Sequence, residues 1–148
     1  MERHRSEGPP LMKVIVVDNS ALIPLFFEEE GTEAAQELFA SEQYHCIAPN
    51  FLAIEFSNVL ATGIRRKRTT STEASRHLRD SQSIGLEMRI FPTMRDLQHV
   101  LDVSEKTELS FYDALYLVLA QQEGALLATH DKKLRTRAEQ EGVEVHPL

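Results

Sequence analysis

Four acidic residues of this chain lie beside or within apolar segments, where an acid is unexpected. Asp18 follows the apolar run KVIVV, Glu55 lies within FLAIEFSNVL, Asp113 lies within LSFYDALYLVLA, and Asp131 follows LLATH. If the fold brings them together, four carboxylates repel one another unless a cation lies between them. A set of oxygen ligands selects a hard ion, so these residues predict Mg²⁺ or Mn²⁺. Such an ion suits phosphate chemistry, because it activates water and stabilises charge on a phosphodiester.

Glu55 is the acid that local structure explains least. If residues 50–67 form a helix, Leu52 and Val59 share a face with Glu55, and the carboxylate lies in an apolar stripe. A glutamate buried there is costly unless it is paired or bound to metal. An ion pair with a distant Lys or Arg is the structural alternative. Asn58 lies one turn further along and is a candidate for orienting Glu55, although an exposed amide explains it equally well.

The other three acids each have a local explanation. Asp18 and Asp131 follow predicted strands and precede predicted helices, where an aspartate commonly caps the helix amino end. Asp113 stands three residues after Ser110, which is the spacing of an N-cap and its N3 acid. Capping and metal binding are compatible, so both interpretations stay open. The hydroxyl residues predicted to support the carboxylates are Ser20, Ser110 and Thr129, with ordinary cap and turn roles as the alternative.

Alternating strands and helices indicate an α/β fold. Short apolar runs predict strands at 13–17, 45–48, 88–91, 125–128 and 143–145. Helices are predicted at 19–28, 32–40, 50–67, 70–84, 93–104, 110–122 and 131–140. This order implies one domain with a mostly parallel sheet of about five strands and helices on both faces. Strand carboxyl ends and helix amino ends share one edge of such a sheet. All four acids are expected at that edge, where open α/β sheets bind ligands.

Length and composition fit one soluble globular domain. The chain has 148 residues, of which 42% are hydrophobic and 26% are charged. No apolar run predicts a membrane span. The single cysteine, Cys46, permits neither an intrachain disulfide nor a cysteine-based metal site, which fits the reducing cytoplasm. Residues 1–11 are polar and are predicted to be a flexible tail or a misassigned start, which leaves 12–148 as the folded domain.

The net charge of −7 argues mildly against a protein that binds nucleic acid, because phosphate contacts favour Lys and Arg. That argument is weaker because basic residues are concentrated in two segments, IRRKR and KKLRTR. For either segment alone, a solvated helix end is as good an explanation as contact with RNA. The candidate RNA-binding residues are Arg65, Arg66, Lys67, Arg68, Lys132 and Lys133.

Four segments, in order, resemble the motifs of PIN domains. VVDNSALIPLF is similar to the opening motif, and AIEFSNVL to the helix that carries the family's glutamate. LSFYDALYLVLA resembles the third motif, and LLATHDKKL resembles the fourth, a strand followed by Thr-x-Asp and a basic helix start. Each motif alone is weak, but four in order over residues 12–147 are fairly specific. Asn19 is a departure, because Thr or Ser is commoner at that position, and it is expected to alter the surroundings of Asp18.

The resemblance implies Mg²⁺- or Mn²⁺-dependent cleavage of RNA by Asp18, Glu55, Asp113 and Asp131. A compact single-domain protein of this kind most resembles the VapC-type toxins of prokaryotic toxin–antitoxin pairs. It would then form a homodimer, be held inactive by a small antitoxin protein and work in the cytoplasm.

Several other functions stay open. A phosphoaspartate enzyme of the haloacid-dehalogenase type needs a second Asp two residues after the first, where this chain has Ser20. A nucleotide-binding α/β domain needs a glycine-rich phosphate loop after the strand at 13–17, and none is present there. A non-catalytic PIN-like RNA-binding or scaffold module, and an RNA-processing nuclease without an antitoxin, both fit the same motifs.

Overall fold

A short parallel sheet forms the centre of the protein. The computed structural model describes residues 12–148, and within them the strands are β1 (Lys13–Val17), β2 (Tyr44–Pro49), β3 (Glu87–Arg89) and β4 (Leu126–Ala128). They lie in the order β3-β2-β1-β4, and each neighbouring pair is parallel. The inner strand β1 pairs Ile15 with Cys46 of β2 and with Leu126 of β4. A run of β-branched residues suits such a strand, because it is buried on both faces.

Seven helices connect and cover these strands in the described part of the chain. They are α1 (Asn19–Leu22), α2 (Thr32–Ala40), α3 (Phe51–Arg65), α4 (Ser71–Ser81), α5 (Leu97–Thr107), α6 (Phe111–Glu123) and α7 (Lys132–Gln140). The chain runs outward from β1 through β2 to β3 and then crosses back to β4. Parallel crossovers are right-handed almost without exception, so this reversal puts α1 to α4 on one face and α5 and α6 on the other.

Helix α6 is the most deeply buried helix. Its residues 114–120 are all buried, because it packs on the sheet while α5 and α7 pack against it. This enclosure accounts for an apolar sequence that shows no polar face. The amino end of α6, which carries Asp113, is therefore held in a fixed position relative to the sheet.

The predicted fold class is confirmed, but the strand count differs by one. The predicted strand at 143–145 forms only an isolated parallel bridge between Val145 and Leu127. Two backbone hydrogen bonds support it, from Leu127 N–H to the Glu144 carbonyl at 3.0 Å and from His146 N–H to the Leu127 carbonyl at 2.8 Å. The segment is too short for a continuous ladder, so the sheet has four strands in the described residues.

Several helix boundaries differ from the prediction, two of them for clear local reasons. The first helix ends at Leu22 and tightens into a 3₁₀ turn at Ile23–Leu25, where Pro24 has no backbone N–H to donate. The helix predicted from 93 begins at Leu97 instead, after a turn in which the Asp96 carboxylate accepts from Thr93 N–H at 2.7 Å. Helix α4 ends at Ser81 rather than near 84.

Among residues 12–148, no helix has the length and apolar character needed to cross a membrane. The prediction of a flexible segment at 1–11 concerns residues outside the described range.

Candidate active site

Asp18 lies where β1 ends and is held by hydrogen bonds on both carboxylate oxygens. It caps α1, and Oδ1 accepts from the Ser20 hydroxyl at 2.7 Å and from Ala21 N–H at 3.1 Å. Oδ2 accepts from the Thr129 hydroxyl at the end of β4. The side chain is only 6% exposed. The predicted capping role is therefore real, but it uses one oxygen and leaves the other facing the neighbouring strand.

Thr129 and Ser20 join the ends of β1 and β4. The fully buried Thr129 hydroxyl accepts from Asp131 N–H at 3.0 Å and lies 3.3 Å from the Ser20 hydroxyl. The Ser20 oxygen also accepts from His130 N–H at 2.9 Å. Both hydroxyl residues thus contact Asp18 directly, beyond the turn role that was their alternative.

Glu55 lies in the second turn of α3 and is half-buried. Its Oε1 accepts a short hydrogen bond from the Tyr116 hydroxyl. The ion pair considered from the sequence is absent, because no Lys, Arg or His in residues 12–148 pairs with Glu55. Asn58 does not orient Glu55 either, since its side chain is exposed and donates no hydrogen bond to that carboxylate.

Asp113 lies in the first turn of α6, beside the other two carboxylates. Ser110 caps this helix, and its hydroxyl accepts from Asp113 N–H at 3.1 Å. The Asp113 carboxylate is half-buried and forms no ion pair among the described residues. The positive charge of Lys133 lowers the pKa of Asp113. The Lys133 ammonium itself donates a hydrogen bond to the Glu108 carbonyl at 2.6 Å.

Asp131 is the most exposed of the four acids. Its Oδ1 accepts from Leu134 N–H at 2.8 Å and caps α7. The negative charge of Asp131 raises the pKa of Asp113, so the two acids are electrostatic neighbours. Capping thus accounts for Oδ1, whereas Oδ2 forms no hydrogen bond with any of residues 12–148.

The three less exposed acids form one electrostatic cluster. Burial is the main reason that the pKa values of Asp18, Glu55 and Asp113 lie above the usual range for carboxyl groups. Repulsion adds to this effect: Asp113 raises the pKa of Asp18, and both of these acids raise the pKa of Glu55. Hydrogen bonds from Ser20, Thr129 and Tyr116 act in the opposite direction. Ionising the whole cluster is therefore unfavourable unless positive charge is supplied.

The chemistry of these donors fits a hard divalent ion, but their arrangement is not a closed cage. All the groups are carboxylate oxygens, the kind that Mg²⁺ and Mn²⁺ prefer. Among residues 12–148, no three acidic, histidine or cysteine side chains lie close enough together to hold an ion as they stand.

Comparison with known proteins identifies the family. The PIN domain family model matches residues 15–140. This chain belongs to the PIN domain family. It is 28% identical over 121 residues to a protein named Ribonuclease VapC3 from Pyrobaculum aerophilum, covering 81% of this chain and 91% of the relative. The crystal structure of PAE2754 from Pyrobaculum aerophilum superposes with a TM-score of 0.67 at 28% identity, covering 86% of this chain and 87% of that one. The resemblance in the four sequence motifs is confirmed.

The candidate RNA-binding residues of this PIN domain divide between the carboxyl end of α3, away from the acids, and the start of α7, beside Asp131. Arg65 lies ten residues after Glu55 in α3, about 15 Å along the helix axis. Arg68 pairs with Glu29 at 3.1 Å and lies over the Phe27 ring. The exposed basic residues predicted to contact RNA are Arg65, Arg66, Lys67, Arg68, Lys132 and Lys133. Lys132 borders a groove that Ser20 and His130 also line.

Tyr116 is the site residue that the sequence reasoning missed. In the sequence it is one more residue of an apolar helix, and its ring is only 2% exposed. The available signal was its spacing, because Tyr116 follows Asp113 by three residues and so lies on the same helix face.

Asn19 stands at a position where Thr or Ser is commoner in PIN domains, and its side chain places a polar oxygen in a buried position. Its buried Oδ1 has no hydrogen-bond partner in the described part of the protein. A buried acceptor without a donor is unfavourable.

Proposed function

We propose that this protein is a divalent-metal-dependent endoribonuclease, with Asp18, Glu55 and Asp113 holding Mg²⁺ or Mn²⁺ and Asp131 assisting directly or through water. One observation carries this proposal. Three carboxylates from distant parts of the chain lie at one edge of the sheet and form no ion pair within residues 12–148. Asp113 raises the pKa of Asp18, and Asp18 and Asp113 both raise the pKa of Glu55. Such a cluster is unfavourable for folding alone, and a cation relieves it.

The protein's own groups prepare the site before any ion binds. Ser20, Ala21 and Thr129 fix both oxygens of Asp18, and Tyr116 fixes one oxygen of Glu55. These donors also favour the ionised carboxylates, which is the form that a cation requires. A bound divalent ion supplies an activated water and stabilises charge on the phosphodiester. The exposed Lys132, beside the Ser20 groove, is placed to attract the RNA backbone.

The test is cleavage of labelled single-stranded and structured RNAs with Mg²⁺, Mn²⁺ or EDTA. Wild-type protein is expected to cut internal bonds only with the metal, and Asp18→Asn is expected to abolish cutting with the fold intact. Asp80→Asn makes the same charge change on the exposed face of α4 and serves as the control. Thermal stabilisation by Mn²⁺ is an independent measure, because an ion that binds only the folded state raises the melting temperature. Full activity of Asp18→Asn would contradict the role of Asp18. Cleavage in EDTA would contradict the role of the metal.

A second function, that of a non-catalytic RNA-binding module, is favoured by the absence of a preformed metal cage among the described residues. The same assay separates the two functions. RNA binding without cleavage under any metal would favour the module, whereas metal-dependent cutting would exclude it.

We further propose that the nuclease is the toxin of a toxin–antitoxin pair in the cytoplasm, with a small antitoxin protein as its partner and a homodimer as its assembly. Similarity to Ribonuclease VapC3 supports this assignment. Exposed apolar side chains near the edge strand β3 fit protein contacts, and Ile90 and Met94 are 85% and 84% exposed. Light scattering of purified protein tests the dimer. A small overlapping reading frame with a DNA-binding amino half would support the antitoxin, and its absence would favour an RNA-processing nuclease.

A further inference from the structure

Two aromatic rings stack at the edge of the carboxylate cluster. Phe51 begins α3 and Tyr112 lies at the start of α6, and their ring centroids are 4.8 Å apart with an interplanar angle of 6°. Phe51 is half-buried and packs against the core, whereas Tyr112 is 57% exposed. Phe51 therefore supports the Tyr112 ring from one side, and the other side of that ring faces solvent.

The stacked pair lies beside the acids on both helices. Tyr112 directly precedes Asp113, and Phe51 precedes Glu55 by four residues, about 6 Å along the axis of α3. Residues four apart on a helix share a face, so Phe51 and Glu55 lie on the same side of α3. A group stacked on Tyr112 would therefore lie next to the carboxylates.

We propose that Phe51 and Tyr112 form a platform on which a nucleobase of single-stranded RNA stacks next to the bond that is cut; this inference rests on the proposed nuclease function. Flat aromatic rings bind bases of any sequence through their faces, and they commonly do so where single strands are bound. Phe51 already holds the Tyr112 ring on one side, so that ring loses little conformational freedom when a base binds to its other side.

Negative charge on the protein opposes the binding of phosphate, which favours a contribution from the bases. The net charge is −7, and the acids themselves repel phosphate. Two of the candidate RNA-binding cations are already engaged, Arg68 with Glu29 and Lys133 with the Glu108 carbonyl. Stacking of bases therefore adds affinity to the attraction between phosphates and the other candidate cations.

The experiment compares two fluorescent 12-nucleotide probes, oligo(A) RNA and a sugar–phosphate strand of equal length that lacks bases. Binding is measured by fluorescence anisotropy in Ca²⁺, another ion that prefers oxygen ligands, and a gel checks afterwards that the RNA is intact. The variants are Tyr112→Leu, which keeps apolar bulk over Phe51 but has no flat face, and Tyr112→Phe, which keeps the ring. Met12→Ala is the control, because Met12 is 51% exposed and precedes β1, at the opposite edge of the sheet.

Wild-type protein is expected to bind oligo(A) more tightly than the strand without bases. Tyr112→Leu should weaken oligo(A) binding by about tenfold and leave the base-free strand unchanged, as loss of one stacked base predicts. Tyr112→Phe and Met12→Ala should retain the preference for bases.

Three results would overturn the platform. They are equal binding of both probes by wild-type protein, an unchanged preference in Tyr112→Leu, and a Tyr112→Leu defect seen only in binding a protein partner. If wild-type protein still cuts RNA in any of these cases, the nuclease proposal stands and only the platform fails. If wild-type protein neither binds nor cuts RNA, both proposals fail.

Discussion

Replacing Tyr116 by Phe removes one oxygen atom from the candidate site and nothing else. The Tyr116 ring is buried in α6, so Phe fills the same space and leaves the core intact. What is lost is the hydrogen bond from the hydroxyl to Glu55. If Glu55 helps to hold a metal, we expect this variant to bind Mn²⁺ and cleave RNA about 10- to 100-fold less well, the usual effect of losing a group that orients a ligand.

The effect on stability should be much smaller than the effect on function. A hydrogen bond to a charged group contributes about 1.5–3 kcal/mol. Glu55 is only half-buried, so water replaces part of that contribution. A loss of about 1 kcal/mol follows, which corresponds to a fall of roughly 2–4 °C in the melting temperature of a protein of this size. A merely structural role for Tyr116 would change stability and leave Mn²⁺ affinity unchanged.

The pH profile gives a second, independent signature. The Tyr116 hydrogen bond lowers the pKa of Glu55, opposing the burial that raises it. Without the hydroxyl, Glu55 holds its proton to higher pH, so the acid limb of the cleavage profile should move to higher pH. Tyr44→Phe is the matched control, because Tyr44 is half-buried at the start of β2, away from the acids. Wild-type Mn²⁺ affinity and an unshifted pH profile in Tyr116→Phe would refute the orienting role.

Three further predictions concern the same edge of the sheet. The raised pKa of Asp18 means that the folded protein holds more protons than the unfolded chain, so in EDTA the stability should fall as pH rises through that pKa. In urea unfolding, Asp18→Asn should therefore gain stability relative to wild type as the pH rises above 3.8, the ordinary pKa of an aspartate, and a stability difference that does not grow with pH would contradict this. Asn19→Ser removes the buried unpaired Oδ1 and should raise stability by about 1 kcal/mol, measured by the same method; no gain would mean that water satisfies that atom. Thr129→Val keeps the shape but removes the donor to Asp18 and the acceptor for Asp131 N–H. It should lower stability by about 2 kcal/mol, or roughly 4–8 °C in calorimetry, and an unchanged melting temperature would show that these hydrogen bonds contribute nothing.

The fold could be predicted because its elements carry local signals. The run at 13–17 is β-branched and apolar, and it forms the inner strand β1. Thr70 and Glu73 have the spacing of a capping box at the start of α4, and the Thr70 hydroxyl accepts from Glu73 N–H. The prediction of a fifth strand was wrong because a β-strand needs a neighbouring strand that pairs with it in register. Residues 143–145 have the right composition, but they meet only Leu127.

The candidate site could be located from the sequence, whereas its contacts could not. The shared edge follows from topology, since strands and helices alternate and parallel sheets place their carboxyl ends together. Which side chain touches Glu55 depends on how α3 and α6 rotate about their axes, and apolar periodicity says little about a helix that is buried all round. Distance along α3 therefore favours Asn58 as the partner of Glu55, although the contact comes from Tyr116, 61 residues away in the chain.

The capping roles illustrate how far local explanation reaches. Asp18 and Asp131 do cap helices, as their positions predicted. Capping needs one oxygen at an exposed helix end, and Asp131 meets that description. It does not require burial of the carboxylate, a second donor from another strand, or two further acids nearby. Asp18 has all three, and burial and repulsion both oppose its ionised form. The excess of negative charge around Asp18 therefore argues for a bound cation more strongly than any one motif does.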